Sequence, residues 1–270
     1  MVQNGAQRAS RQSRSGRTLA LLAALMAILV LISLPASASA ASFKVVIVVG
    51  PVEGSTARYR ADANLLAQVA TAHGATVVKV YSPNATWRRV KAAAQGANVL
   101  IYLGHGNGTP SPYPYSPYTK NGLGLNRLLN HGNSNVKYYG SYYMRYIHLA
   151  PNGIVILNHL CYSAGNSEPG RAAPSTRVAR QRVAYYAAGM MKTGAVAVFA
   201  EPKGDARYIL TGLFTTTKTL RQIFTDHGAA PTNFTSTRVP GATITAKLTV
   251  RALTTLPGVT AGDVLAASAP

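Results

Sequence analysis

Two stretches of sequence decide the fold: NVLIYLGHGNG at residues 98–108 and GIVILNHLCYSAG at residues 153–165. Each begins with a short apolar run typical of a buried parallel strand and then passes into a loop of glycines and other small residues. A reactive residue follows each run, His105 in the first stretch and Cys161, the single cysteine of the chain, in the second. A base and a nucleophile at the ends of two apolar strands are what acyl transfer by a thiol requires.

The same alternation of strands and helices extends along the chain in both directions. Three further strands are predicted from apolar, β-branched runs at residues 44–50, 75–81 and 195–200. Helices are predicted from apolar residues at helical spacing over residues 57–73, 87–95 and 177–192. Such an order predicts an α/β domain over residues 41–230, with a mostly parallel sheet and helices on both of its faces.

A long insertion at residues 107–151 separates the third and fourth predicted strands, and we expect a short helix near residues 123–129 within it. Nine tyrosines between Tyr102 and Tyr146 fit either a binding surface or packing of the insertion on its own scaffold. A helical stretch is expected around residues 216–224. The tail, residues 231–270, contains the alternating run ITAKLTVRAL, which predicts an edge strand or a small β unit.

The first forty residues have the pattern of an export signal. Four arginines precede an apolar run over residues 18–34, and Ala38-Ser39-Ala40 fits the small-x-small rule for cleavage. We therefore expect residues 1–40 to be a signal peptide, or an uncleaved anchor with the same topology. The rest of the chain is then expected to be secreted or held at the cell surface, with no membrane span after cleavage.

The chain is strongly basic, with 27 Lys and Arg against 7 Asp and Glu and a net charge of +20. This charge favours anionic partners such as cell-wall polymers, and it equally fits a solvated surface. No basic run is longer than Arg88-Arg89, so a nucleic-acid partner is not expected. A lone cysteine cannot form an internal disulfide, which leaves a buried small hydrophobe or a reactive thiol.

The predicted strand ends bring several polar residues to one edge of the sheet, where open α/β sheets bind ligands. His105 would act as general base and then as general acid, Cys161 as nucleophile, and the amides of Gly106 and Cys161 as oxyanion donors. Candidates to orient His105 or to bind substrate are His159, Glu53, Glu168 and Glu201, although each glutamate could instead form an ion pair with an arginine. His159 lies two residues before Cys161, so on a strand the two would face the same way. A metal site of His105, His159 and Cys161 lacks a second cysteine and a carboxylate, so neither metal nor cofactor is expected.

These motifs resemble the caspase-like fold, which includes caspases, legumains, gingipains, clostripains and the bacterial CHAT-type domains. The resemblance covers roughly residues 44–199, through Tyr102-Leu-Gly-His105-Gly106, Asn158-His-Leu-Cys161-Tyr-Ser163-Ala-Gly165 and Thr193-Gly-Ala-Val-Ala-Val198. It implies a three-layer sandwich, a His105–Cys161 dyad and an oxyanion site that includes the Gly106 amide, in a divergent, secreted bacterial member. The chain departs from the pattern at Leu160, where many members have alanine, at the bulky Tyr162 and in its long insertion.

Three functions stay open on the sequence. The first is an exported cysteine peptidase (a thiol protease) or related thiol hydrolase that acts on a protein or peptide through an acyl-enzyme. The second is a non-catalytic surface or wall-binding protein on the same fold, using its tyrosines and positive charge to hold an anionic cell-wall polymer. The third is a wall-directed amidase or transpeptidase with the same dyad.

Overall fold

The computed structural model describes residues 43–228 and 231–266 of the 270-residue chain. The export signal expected at residues 1–40 lies outside these ranges. In the part of the chain that the structure describes, no helix is both long and apolar enough to cross a membrane.

The chain alternates strands and helices as far as β7, except in the insertion, where β4 and β5 follow β3 without a helix between them. The strands are β1 (Lys44–Val49), β2 (Thr76–Tyr81), β3 (Val99–Leu103), β4 (Leu123–Asn126), β5 (Val136–Tyr139), β6 (Ile154–Asn158), β7 (Ala197–Glu201), β8 (Thr232–Thr235), β9 (Thr243–Lys247) and β10 (Arg251–Thr255). The helices are α1 (Thr56–Ala72), α2 (Trp87–Ala94), α3 (Ser141–Met144), α4 (Thr176–Met191), α5 (Arg207–Thr215), α6 (Leu220–Asp226) and α7 (Ala261–Ala266). All five strands predicted before residue 201 are present.

The main sheet has eight strands in the order β2-β1-β3-β6-β7-β10-β9-β8. The first five are parallel, and β10, β9 and β8 extend them in antiparallel pairs. Side chains of the sheet alternate between two apolar clusters, as β1 shows with Ile47 in one and Val48 in the other. One cluster includes residues of α1, α5, α6 and α7, and the other includes residues of α2, α3 and α4. The prediction of an α/β fold with a mostly parallel sheet and helices on both faces is confirmed.

Strands β3 and β6 lie side by side at the centre of the sheet. They are parallel, with Leu103 opposite Asn158, and every residue of both strands is buried. Burial on both faces explains why both sequences are continuously apolar rather than alternating. Because the two strands end in register, the loops that carry His105 and Cys161 leave the same edge of the sheet.

The prediction of a short helix near residues 123–129 is wrong. Residues 123–126 instead form strand β4, which pairs with β5 in a small separate sheet. Leu123 and Leu125 point into the core while Gly124 lies between them, a period of two that is typical of a strand. The Tyr102 hydroxyl donates to the Gly124 carbonyl at 2.7 Å and accepts from its N–H at 2.9 Å, which docks β4 beneath the loop that carries His105.

The tyrosines of the insertion pack largely on one another. Trp87 of α2 stacks on Tyr139, and Tyr143 meets both rings edge-on. Tyr118 contacts Tyr142 at 4.7 Å between ring centroids, and contacts of this kind contribute about 0.5–1.5 kcal/mol beyond buried area. The inner rings therefore build the insertion, while outer rings such as Tyr118 stay in contact with solvent.

The C-terminal part of the chain adds both helices and strands. The helical stretch expected at residues 216–224 is α6, shifted by a few residues, and the preceding α5 was not predicted. Of the segment after residue 230, described as far as residue 266, three strands join the main sheet and β8 forms its edge. The turn between β9 and β10 reaches the loop after β6, where the Thr249 N–H donates to the Ala164 carbonyl at 2.8 Å.

Candidate active site

The loop after β3 carries His105 on a backbone that only glycine permits at two points. A β-carbon at Gly104 would lie 2.2 Å from the Tyr102 hydroxyl, and one at Gly106 would lie 2.1 Å from the Cys161 carbonyl oxygen. The Tyr102 hydroxyl, fully buried, also contacts the His105 carbonyl oxygen at 3.1 Å. The backbone of His105 is thereby held between the core and the turn that carries Cys161.

The turn after β6 presents Cys161 outside the strand. The strand ends at Asn158, and both His159 (φ +63°) and Tyr162 (φ +69°) adopt the left-handed backbone conformation. This conformation costs a residue with a β-carbon about 1–2 kcal/mol. Hydrogen bonds offset that cost, among them the His159 N–H to the Glu201 carbonyl at 3.0 Å and the Ser163 hydroxyl to the Leu160 carbonyl at 3.2 Å. The expectation that His159 and Cys161 share a strand face is wrong, because β6 stops before both.

The backbone amides of Gly106 and Cys161, expected as oxyanion donors, donate to no backbone carbonyl among the described residues. The same is true of the neighbouring amides of Leu160 and Tyr162, so this feature belongs to the loop as a whole. Cys161 lines the cavity described next, whereas Gly106 lies behind it, against the main chain of Cys161.

A cavity of about 690 Å³ opens where these loops meet. Its size is within the range of pockets that bind small molecules or single side chains of a larger substrate. His105 and Cys161 both line it. Other lining residues, from distant parts of the sequence, are Glu53, Arg58, Tyr59, His159, Glu168, Arg171, Lys203 and Thr249.

Glu53 orients His105. The Oε2 atom of Glu53 lies 3.2 Å from Nε2 of the imidazole, and the two side chains are 58% and 36% exposed. A carboxylate can only accept a hydrogen bond, so in the neutral ring this contact places the proton on Nε2. The lone pair on Nδ1 is then free to accept a proton.

The thiol of Cys161 is partly buried, and burial together with the negative charge of Glu168 raises its pKa to about 11. At neutral pH the sulfur therefore carries its proton. Nucleophilic attack by Cys161 then requires a base that removes the proton as the reaction proceeds.

His159 belongs to a second histidine–carboxylate pair in the same cavity wall. Its Nε2 lies 3.1 Å from Oδ2 of Asp62, and its ring stacks on Tyr59 with the centroids 4.8 Å apart. Burial lowers the pKa of His159 despite the neighbouring Asp62 carboxylate. The stacked, half-buried ring forms part of the wall beside Cys161.

The three glutamates expected at this edge of the sheet are placed differently. Glu53 and Glu168 line the cavity with His105 and Cys161, and Glu168 accepts a hydrogen bond from the Tyr113 hydroxyl at 3.1 Å. Glu201 does not line the cavity. It is buried, accepts a 2.6 Å bond from the Tyr208 hydroxyl, and pairs with Arg251 at 2.9 Å. For Glu201, the structure therefore shows the alternative role considered from the sequence, an ion pair with an arginine.

Several cavity residues were not found from the sequence. Tyr59 and Arg58 lie on α1, Lys203 follows β7, and Thr249 sits in the turn between β9 and β10. None of them carries a local signal, because each reaches the cavity only through the packing of distant segments. Across residues 43–228 and 231–266, no group of three or more His, Cys, Asp and Glu side chains is arranged to hold a metal ion.

Comparison of the chain with protein-family models, curated proteins and solved structures finds no match. The α/β fold and the geometry of the cavity thus stand on this structure alone. Membership of the caspase-like group stays a hypothesis, which rests on the motifs around His105 and Cys161 and on the order of the strands.

Proposed function

We propose that this protein is an exported cysteine hydrolase of caspase-like fold, most specifically a peptidase, which acts through an acyl-thioester on Cys161. One observation carries the proposal. His105, paired with Glu53, and Cys161 follow two adjacent parallel strands and line the same cavity. A nucleophile, a base and a group that orients the base are the three parts that this chemistry needs.

The reaction begins with the substrate carbonyl carbon beside the Cys161 sulfur. As Sγ attacks, the thiol proton passes to Nδ1 of His105, and Glu53 stabilises the resulting imidazolium. The N–H group of Cys161, which lines the cavity, is the candidate to hold the oxyanion that forms, whereas Gly106, expected to share this role, lies behind the cavity wall. Because burial keeps the thiol protonated, base catalysis during attack is required in place of a preformed thiolate.

Collapse of the tetrahedral intermediate breaks the C–N bond, and His105 gives its proton to the departing amine. The acyl group is then a thioester on Cys161. Water next attacks the thioester carbon while His105 takes a proton from it. Breakdown of this second intermediate releases a carboxylic acid and restores the thiol.

The test is cleavage of a diverse peptide mixture by the purified protein, with the products read by mass spectrometry. Cleavage is expected for the wild type and for Ser55→Ala, which removes a hydroxyl that lines the same cavity. It is expected to vanish in Cys161→Ala and to slow by about 10²- to 10⁴-fold in His105→Gln. Cleavage that survives in Cys161→Ala would exclude the proposed nucleophile.

A second candidate, a non-catalytic binding protein, has its own support. The raised pKa of Cys161 fits an unused thiol. No acidic residue occurs from residue 63 to residue 167, a stretch that includes the exposed Tyr118 and Tyr146. Anionic cell-wall polymers are the partners that such a surface favours. Binding of such a polymer without cleavage of any peptide would favour this candidate.

The third candidate, a wall-directed amidase or transpeptidase, would use the same dyad on cell-wall peptides. Including those peptides in the mixture distinguishes it from a general peptidase. A transpeptidase would join the acyl group to an added amine rather than to water.

A further inference from the structure

Glu168 is a carboxylate without a cation in a protein that has an excess of cations. Three of the seven acidic side chains form ion pairs with an arginine or a lysine: Asp205 with Arg207, Asp226 with Lys218 and Glu201 with Arg251. Two more contact a histidine ring, Glu53 that of His105 and Asp62 that of His159. A sixth, Asp263, accepts hydrogen bonds from Thr260 at the start of α7. No Lys, Arg or His nitrogen within residues 43–228 and 231–266 lies within 4.0 Å of Glu168.

The two buried cations near Glu168 are committed to other partners. The guanidinium of Arg182 donates to the Pro110 carbonyl at 2.7 Å and to the Asn166 carbonyl at 3.1 Å. The ammonium of Lys120 donates to Asn107 Oδ1 and Ser111 Oγ, both at 2.7 Å. Both side chains are almost entirely buried, so neither can turn toward Glu168 without breaking these bonds. They act on the carboxylate through space without pairing with it, and the contacts to its oxygens come from the uncharged hydroxyls of Tyr113 and Tyr162.

The remaining cations of the cavity stand at its rim. Arg58, Arg171 and Lys203 are all exposed, so their charges are well solvated and screened. Glu168 is only partly exposed and lines the same cavity as Cys161. A charge that is half-buried has the stronger effect on a bound ligand, because less water surrounds it.

We propose that Glu168 binds a lysine or arginine side chain of the substrate and thereby makes the cavity selective for cationic peptides. This inference rests on the proposed function and names its substrate class. The Tyr113 hydroxyl, 3.1 Å from Oε2, fixes the carboxylate in place, which reduces the cost of ordering it when the cation binds.

Such a ligand would also act on the nucleophile. The negative charge of Glu168 is the second cause, after burial, of the raised pKa of Cys161. A cation at Glu168 offsets that charge, so the thiol loses its proton more easily. A cationic substrate would therefore assist its own attack by Cys161.

Paired alkylating probes test the inference. A peptidyl-arginine chloromethyl ketone and its citrulline analogue have nearly the same shape and differ in charge. Each alkylates a thiol, forming an S–C bond as chloride leaves, and intact mass reports the rate. We expect the arginine probe to modify Cys161 about 10- to 100-fold faster, the range for a hydrogen-bonded charge. Glu168→Gln should remove this preference by slowing the arginine probe, while Asp226→Asn, which neutralises an exposed acid paired with Lys218, should keep it.

Equal rates for the two probes on the wild type would overturn the inference, as would an unchanged preference in Glu168→Gln. Glu168→Lys offers a second variant, and an aspartate probe should now react faster than the arginine probe. Reaction that is equally slow in the wild type and in His105→Gln would contradict the proposed hydrolase instead. The ratio of the arginine rate to the citrulline rate would still decide whether Glu168 binds a cation.

Discussion

The carboxylate of Glu53 lies 3.2 Å from the imidazole of His105, although 52 positions separate the two residues in the sequence. The sheet brings them together. Strands β1 and β3 are parallel neighbours with Val49 opposite Leu103, so the loops that follow them leave the same edge. Glu53 therefore sets the orientation and the tautomer of the ring that faces the cavity with Cys161.

Replacing Glu53 tests this pairing. Glu53→Gln keeps the shape of the side chain but removes the charge that stabilises the imidazolium. Because Glu53 is 58% exposed, the expected fall in kcat is at the low end of the range for a charged hydrogen bond, about tenfold. Kinetics on a cleaved peptide measure it, with Asp226→Asn as a control for loss of an exposed acid elsewhere. A kcat equal to that of the wild type would show that Glu53 does not assist His105.

The contact between Gly106 and Cys161 predicts that no side chain is tolerated at Gly106. A β-carbon there would also approach the carbon and the nitrogen of Cys161 to 3.0 Å each, so Gly106→Ala must push the two loops apart. We expect a loss of about 1–3 kcal/mol in the free energy of unfolding and a large loss of activity. Urea titration measures the free energy of unfolding, and peptide cleavage measures the activity. Gly262→Ala, whose β-carbon would meet only the Thr260 hydroxyl at 3.6 Å, should leave both unchanged or stabilise slightly. Equal stability of the two variants would contradict the packing described.

The raised pKa of the Cys161 thiol leads us to expect an unusual pH dependence of its alkylation. Burial and the charge of Glu168 both disfavour the thiolate, so the pKa of Cys161 lies near 11, above that of a free cysteine. Iodoacetamide reacts with the thiolate, so the rate for the folded protein should be low at pH 7 and still rising at pH 10. In urea the same thiol should level off from about pH 9. A plateau below pH 8 in the folded protein would show that the resting thiol is already activated.

The buried pair of Glu201 and Arg251 predicts an effect on stability. The two side chains are only 4% and 11% exposed, and Glu201→Gln would leave Arg251 with an uncompensated charge. Breaking a buried pair in this way costs about 3–5 kcal/mol. Thermal and urea unfolding should show the loss, and adding Arg251→Met should recover part of it. Under native conditions the remaining folded protein should keep its kcat, because Glu201 does not line the cavity.

The sequence predicted the central strands because burial on both faces leaves a continuous apolar run, as in VLIYL of β3 and IVILN of β6. The sequence also predicted that β3 and β6 are neighbours, since consecutive strands joined by a crossover often lie side by side in a sheet. Prediction from the sequence failed where the local residue pattern and the tertiary packing favour different structures. The segment LGLN was expected in a helix, but it forms a strand because it pairs with β5 and because the Tyr102 hydroxyl binds both the carbonyl and the N–H of Gly124. A β-carbon at Gly124 would lie only 3.2 Å from His105 and Tyr138.

The candidate site was predicted in part for a similar reason. His105 and Cys161 stand directly after predicted strands, so topology alone brings them to one edge. The choice among Glu53, Glu168 and Glu201 depended on where each loop turns after its strand, and no sequence pattern encodes that. The contribution of Thr249 required knowing that β10 pairs with β7, which brings the C-terminal hairpin back to the loop after Cys161.

The rate at which a peptide ester acylates Cys161 at pH 7, followed by intact mass, tests the central claim most directly. The account predicts that His105→Gln slows acylation by about 10²- to 10⁴-fold, the usual contribution of a general base. His159→Gln should slow it by less than about tenfold, since the ring forms a wall and takes no proton. As a control, the rate of alkylation at pH 10 should be similar in the wild type, His105→Gln and His159→Gln. Similar rates would show that the surroundings of the Cys161 thiol are unchanged in both variants. An acylation rate that is unchanged in His105→Gln, or that falls further in His159→Gln, would contradict the assignment of His105 as the base.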